Sequence, residues 1–313
     1  MKQIKNARGR KKERRVVYKA EEKRAYLFLT MPAVIVYWAV VAFPVVFAVG
    51  MSLSDYSGGS ILGGSASFVG FRHYLRMFND EFFWISLKNN IYIVLISVFG
   101  QIPLGFIFAY ALYRKLVVAR DFFQTMIYMP VVISPIVIGI LWAFIMSPYG
   151  LITEIMQRIS PGWENTILIN PTNAVLAVLF VILWMYTGTY LLIFLANLQK
   201  IDPYLLEAAK IDGANEKQIL GRIILPSLSG VIVTTIILAI FGSLQSFTLI
   251  FAMTRGAPAR RTSVLALYMY DTAFRPPIDY PMANAVSIVL VIMSLILIVL
   301  TKAVEKRFGG REE

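Results

Sequence analysis

Residues 207–226 read EAAKIDGANEKQILGRIILP, a polar and closely punctuated segment between two long apolar runs. It opens on Glu207 with two alanines, Ala208 and Ala209, places Gly213 after Asp212, and closes on Leu225-Pro226. Just upstream, Asp202-Pro203 is a helix start, an acid at the N-cap and a proline whose missing N–H costs nothing at the first helical position. The pattern predicts a short helix from Tyr204 to Asp212, stopped by Gly213 as a left-handed cap. Asn215 then begins a second helix with Gln218 as its capping-box partner. The two alanines leave one side nearly bare, Tyr204, Leu205 and Ile211 supply apolar contacts, and Glu207 can pair with Lys210 or with a cation on another protein. On geometry alone this is equally an ordinary capped pair of helices lying on a membrane.

The chain around it is apolar. Of 313 residues, 58% are hydrophobic and 15% charged, against about 25% charged in a soluble domain. Six stretches, 27–51, 89–112, 122–146, 174–197, 224–250 and 282–303, are long enough to cross a bilayer. Within lipid each must satisfy its own backbone hydrogen bonds, so the expected fold is all-α, a polytopic membrane protein with six transmembrane helices. The first run is too long, its flanks too basic and too poor in a small-residue cleavage site for a removed signal peptide, and is expected to stay as a span. The lack of cysteine excludes disulfides, thiolate metal sites and a cysteine nucleophile. A lone His73 cannot build a histidine metal cluster.

Basic residues set the expected orientation. Residues 1–26 carry eleven Lys and Arg, and the segments 113–121, 198–223 and the tail carry three, four and four, whereas the alternate loops carry eight in all. The positive-inside rule then puts both termini and the 202–223 loop in the cytoplasm. The net charge of +12 accordingly reads as a topology signal and not as nucleic-acid binding, the basic segment 1–26 anchoring the first span against anionic lipid. Residues 52–88 form an extracytoplasmic loop in which FRHYLRMFNDEFFWISL, from Phe71, suits an interfacial helix. A further short helix is expected over Leu151–Ile159, and 304–313 form a cytoplasmic tail. The five spans of 89–303 make the core.

The spacing of Glu207-Ala208-Ala209, Gly213, Ile223 and Leu225-Pro226 resembles the cytoplasmic EAA loop of permease subunits of bacterial ATP-binding-cassette importers. FVGFRHY at 68–74, YMPVVISPIVIGILWAFIMSPYGL at 128–151, LQKIDPYLLEAAKIDGA at 198–214 and GSLQSFTLIFAMTRGAP at 242–258 resemble the maltose-type, sugar-importing subgroup. The resemblance implies a six-helix permease of the bacterial inner membrane. Its partners would be a second, homologous permease, two ATPase subunits and an extracytoplasmic binding protein. Glu207, Ala208, Ala209, Asp212 and Gly213 would dock on the ATPase.

The residues themselves agree that energy comes from elsewhere. Without a Gly-Lys dipeptide there is no phosphate-cradling P-loop, and no carboxylate lies centrally in a span, where an ion-coupled carrier usually needs one. No nucleophile–base pair or cofactor motif marks an enzyme. For a substrate path, Trp184, Tyr186, Thr187, Thr189 and Tyr190 interrupt the fourth span, and Ser243, Gln245, Ser246, Phe247 and Thr248 the fifth. An amide such as Gln245 needs partners in hydrocarbon, and such residues serve as glue between helices as readily as they contact a solute. The resemblance places Met185, Tyr186, Thr189, Ser243, Gln245 and Ser246 along a sugar path, with Trp184 beside them. Thr248 stands where many relatives have an acid, and Ala257 where they have glycine. Arg255, Arg260, Arg261 and Arg275 beyond the fifth span suit solvent or a binding protein and leave room for an acidic saccharide. A non-sugar solute such as glycerol phosphate, or an ion-coupled carrier, is the alternative.

Overall fold

A computed structural model describes residues 25–56 and 67–308, with side chains to 303. The basic segment 1–24, most of the glycine–serine connector and the last five residues lie outside the described residues. The helices are α1 (Ala25–Ser52), α2 (Arg72–Phe78), α3 (Glu81–Tyr113), α4 (Arg120–Val132), α5 (Pro135–Ile145) and α6 (Leu151–Ile159). They continue with α7 (Pro171–Leu198), α8 (Pro203–Ile211), α9 (Glu216–Ser227), α10 (Ser229–Leu244), α11 (Thr248–Met253), α12 (Leu265–Phe274) and α13 (Tyr280–Phe308). Four of these, α1, α3, α7 and α13, are single apolar helices long enough to span, and α4–α5 and α9–α10 are bent pairs, giving up to six spans.

α7 is the axle. More than half of its apolar window is buried, against 6% for α1. It packs on α3 and α4, while α1 contacts α13 at the edge. Between apolar helices in lipid, association rests on close packing more than on a hydrophobic drive, and two glycines mark the closest approaches. A Cβ on Gly105 of α3 would come within 2.6 Å of Tyr190 Cβ, and one on Gly188 of α7 within 2.5 Å of the Ile127 carbonyl oxygen of α4. α1 exposes Phe28, Trp38 and Phe43 on its outer surface, as a lipid-facing helix would.

The helices depart from the expected spans at three places. The helix that carries the second span begins at Glu81, ahead of the expected span at 89, because the Asp80 carboxylate accepts from Phe82 N at 2.9 Å and caps a helix that runs on into the apolar stretch. The single interfacial helix expected from Phe71 is therefore split at Asn79–Asp80. The 122–146 span is two helices meeting at 98°. Pro135 drives its predecessor Ser134 out of the helical region, and Ile133 before it is extended as well. The 224–250 span is also interrupted: α9 and α10 meet at 65° and α10 stops at Leu244, with α11 starting only at Thr248.

The break at the end of α10 is satisfied by a side chain from α3, as backbone freed at membrane depth must be. Asn90 Nδ2 donates to the Ser243 carbonyl oxygen at 3.1 Å while its Oδ1 accepts from Leu265 N at 2.8 Å. Asn89 Nδ2 donates to the Arg261 and Ser263 carbonyls, each at 2.7 Å. These buried amides bind α10, α12 and the strap between them to one turn of α3.

Candidate functional site

The fold presents two candidate sites, the polar loop and a cavity between the helices.

The loop folds as its punctuation predicts. Asp202 Oδ1 accepts from Tyr204 N at 2.9 Å to start α8. Gly213 sits at φ +81°, a left-handed conformation that side chains resist. Asn215 and Gln218 form the reciprocal capping box at 2.8 and 2.9 Å. Leu206 turns inward onto a cluster with Leu198, Ile219 and Ile224. That leaves Tyr204, Ala208 and Ile211 along the opposite face at helical spacing, Tyr204 and Ile211 being 78% and 86% exposed. Ala209 is half-buried, so only one of the two alanines presents a bare face. Glu207, Asp212 and Gly213 are exposed. Glu207 makes no ion pair with Lys210 among the described residues, and it stands outward without a local partner.

At its base the loop is tied to the bundle. Arg114, just past α3, pairs with Glu216 at the start of α9. Tyr110 Oη donates to the same carboxylate at 3.3 Å. A displacement of α8–α9 therefore pulls on α3 at one end and on the α9–α10 joint at the other, where Leu228 is buried.

The cavity, about 320 Å³, lies between α3, α7 and the end of α10. Five of the residues expected on a substrate path line it: Tyr186, Thr189, Ser243, Gln245 and Ser246. The other two do not. Met185 is fully buried in the core with Ile182 and Ile250. Trp184 faces a separate apolar groove with Phe123 and Phe180, edge-on to Trp142 at 5.5 Å. The helical period explains the split, since positions 182, 186 and 189 share a face of α7 that 184 and 185 leave.

The polar groups in the cavity differ in what they already do. Ser243 Oγ donates to Ala239 O at 2.6 Å and lies 3.1 Å from Ser97 Oγ, so it stitches α10 to α3. Ser246 Oγ donates to Gly242 O at 3.1 Å. The Gln245 side-chain amide has no hydrogen-bond partner among the described residues and is exposed to the cavity. Its position at the helix break, and not inside a helix as the sequence reading has it, is what frees it from packing. Sequence reasoning missed Ser97 and Gln101, which close the cavity from α3. Gln101 Nε2 donates to the Ile182 carbonyl at 2.8 Å. The signal was available, since Gln101 is the one amide in the apolar run SVFGQIPLG, and it sits where five residues, Ser97–Gln101, widen into a π turn. The cavity thus offers one free amide, aromatic side chains and hydroxyls, a set suited to a polar solute.

Known proteins bear on both places. The chain is 31% identical over 267 residues, 85% of its length and 90% of the other's, to the multiple sugar-binding transport system permease protein MsmF of Streptococcus mutans. It is 32% identical over 276 residues, 87% of its length and 92% of the other's, to the probable ABC transporter permease protein YurN of Bacillus subtilis. Its fold superposes on a chain of a bacterial alginate ABC transporter, solved with an alginate-pentasaccharide-bound periplasmic protein, with a TM-score of 0.79 over 95% of this chain and 99% of that one, at 20% identity. The sequence pattern of one family matches residues 101–310, from the π turn of α3 through the loop and cavity to the end of α13. The chain belongs to that family, the binding-protein-dependent transport system inner membrane components.

Proposed function

We propose that this chain is one permease subunit of an ATP-binding-cassette importer that moves a saccharide across the bacterial inner membrane. The observation that carries the reading is the placement of the free Gln245 amide in a polar cavity at the break of α10, the helix that follows the 202–223 loop. A solute contact and an exposed docking helix thus lie on one continuous stretch of chain. The substrate class is supported by the relative named for multiple sugar-binding transport, and by a cavity whose tyrosines and amide suit ring faces and hydroxyls. The exposed side of α8 and its C-terminal cap, with Glu207, Ala208, Asp212 and Gly213, dock on a separate ATPase, and half-buried Ala209 keeps the helix seated on the bundle. A second permease completes the pathway, and a soluble binding protein delivers the sugar on the side opposite the basic termini. Closure of the ATPase pair moves α8–α9 as a rigid lever between two states.

Isolating the assembly from its native membrane and identifying every copurifying chain tests this. A P-loop ATPase and a soluble receptor are expected. Saccharide uptake by an assembly lacking any ATPase would overturn the reading in favour of an ion-coupled carrier.

A further inference from the structure

A second cavity, about 790 Å³, opens between the same two helices, nearer their N-terminal ends. Trp84, Lys88 and Tyr92 line it from α3, and Thr172 and Leu179 from α7, with Arg261 at its edge. The two cavities are consecutive. Tyr92 faces the outer one and Ile93 the inner one, and Leu179 and Ile182 divide in the same way on α7. Their linings meet at adjacent residues on α3 and three residues apart on α7. Taken together the linings follow α3 from Trp84 to Gln101, about 25 Å of helix, a length that suits a chain of sugars better than one ring. The 33 residues of α3 make a helix of about 50 Å, against a hydrocarbon layer of about 30 Å. Its first turns therefore stand at the membrane–water boundary, where a hydrophilic solute arrives.

The chemistry of the outer cavity is more specific than its size. Trp84 is half exposed, held by its indole N–H on the Phe78 carbonyl at 2.8 Å, and it and Tyr92 line the wall with rings of the kind that stack on the C–H side of a pyranose. Glu81 is engaged by Arg261 at 3.2 Å, and the strap carrying Arg261 is pinned by the two Asn89 hydrogen bonds. Lys88 has no carboxylate within 4 Å among the described residues, and its ammonium lies 5.5 Å from the centre of the Tyr92 ring. One cation is thus left without a counter-charge over the Tyr92 ring, in a cavity that Trp84 also lines.

We propose that the outer cavity is a separate saccharide subsite that takes a carboxylate-bearing sugar residue of an oligosaccharide. Lys88 meets the carboxylate and Trp84 and Tyr92 stack on the ring before the chain advances to the inner cavity. This rests on the saccharide-import reading and adds the charge and minimum length of the cargo. An anionic lipid phosphate shares the chemistry that Lys88 recognises, so the test separates the two.

The chain has no cysteine, so Thr172→Cys introduces its single thiol at the cavity wall. In the complete assembly, in nanodiscs of zwitterionic lipid only, a membrane-impermeant maleimide should label this thiol. Millimolar trigalacturonate should slow labelling several-fold while maltotriose does not, and adding Lys88→Gln should abolish that protection. Absent labelling, equal protection by both sugars, or protection that survives Lys88→Gln overturns the proposal. Protection that appears only when phosphatidylglycerol is included assigns the cavity to a lipid headgroup instead. Saccharide uptake by the unsubstituted assembly in proteoliposomes separates the two failures. Import without protection removes the outer subsite alone, whereas no import of any saccharide removes the reading beneath it as well.

Discussion

Arg114 and Glu216 form an ion pair that joins the end of α3 to the start of α9, and it is the one charged tie between the exposed loop and the spans among the described residues. The Arg114 side chain is largely buried and the Glu216 side chain more than half exposed, so the pair itself contributes only about 0.2–1 kcal/mol to stability. Its mechanical role is separable from that. Glu216→Gln should shift thermal unfolding of the purified assembly by no more than a few degrees while raising ATP hydrolysed per sugar imported. An unchanged coupling ratio would mean that the lever does not depend on this ion pair.

Gly213 allows a cleaner dissection than its conformation first suggests. At φ +81° any L residue other than asparagine or aspartate carries about 1–2 kcal/mol of strain. Nothing lies within 4 Å of the added Cβ, so within this chain a larger side chain costs little more than alanine. Gly213→Ala should lower stability slightly and retain uptake. Gly213→Arg should match it in stability yet abolish uptake, because only a docked neighbour meets the extra atoms. Normal uptake in the arginine variant, with the assembly intact, would remove this turn from the docking surface.

The loop was legible because its signals are local. An acid before proline, a glycine after the helix and an Asn–Gln capping box each act within four residues, and the structure has all three. The six apolar runs were legible for the same reason. The breaks in the third and fifth runs were not, although Pro135 stood in plain view, because apolarity persists across them and the compensation comes from far away. Asn90 satisfies the backbone at Ser243 across 153 positions. The lining of the inner cavity was half legible. Residue type picked out Tyr186, Thr189 and Gln245, but type alone could not say which way α7 turns. Trp184 and Met185 were therefore grouped with residues that face elsewhere.

Gln101 and Gln245 are both amides at the inner cavity, and they should respond oppositely to the same change. Gln101 is buried and bonded to the Ile182 carbonyl. Gln101→Leu should cost about 1–2 kcal/mol and lower the yield of folded subunit. Gln245→Leu should leave thermal unfolding unchanged and shift the saccharide concentration for half-maximal uptake by several-fold. An unaltered concentration dependence would return Gln245 to the category of inert lining.

Gly188 and Gly242 form a second contrasting pair. A methyl on Gly188 would overlap the Ile127 carbonyl oxygen at 2.5 Å, whereas one on Gly242 meets nothing within 4 Å. Pushing α4 away to make room should cost about 1–3 kcal/mol. Gly188→Ala should therefore unfold several degrees earlier in detergent, with Gly242→Ala indistinguishable from the parent. Equal midpoints would show that α4 is free to slide on α7.

The buried carboxyl of Asp271, on α12 outside the spans, supplies the pH dependence. Burial holds its pKa above the ordinary carboxylate range, and Arg275 and Arg260 pull it partly back. Arg275 Nε lies 3.0 Å from Oδ1, yet the oxygen gains no aligned hydrogen bond, so the compensation is incomplete. Tyr268, one turn away, donates to Asp80 at 2.6 Å and offers Asp271 nothing. A carboxyl with a raised folded-state pKa keeps its proton longer in the folded chain than in the unfolded one. Its contribution is favourable at low pH and is lost as pH climbs from about 4, the unfolded value, through the raised folded value. Asp271→Asn removes that loss, and half-exposed Arg275 can turn to water. The variant should melt above the parent at pH 7, with the gap closing as pH is lowered toward 4. A variant that melts below the parent at pH 7 would show instead that the Asp271–Arg275 attraction outweighs the cost of burying the charge.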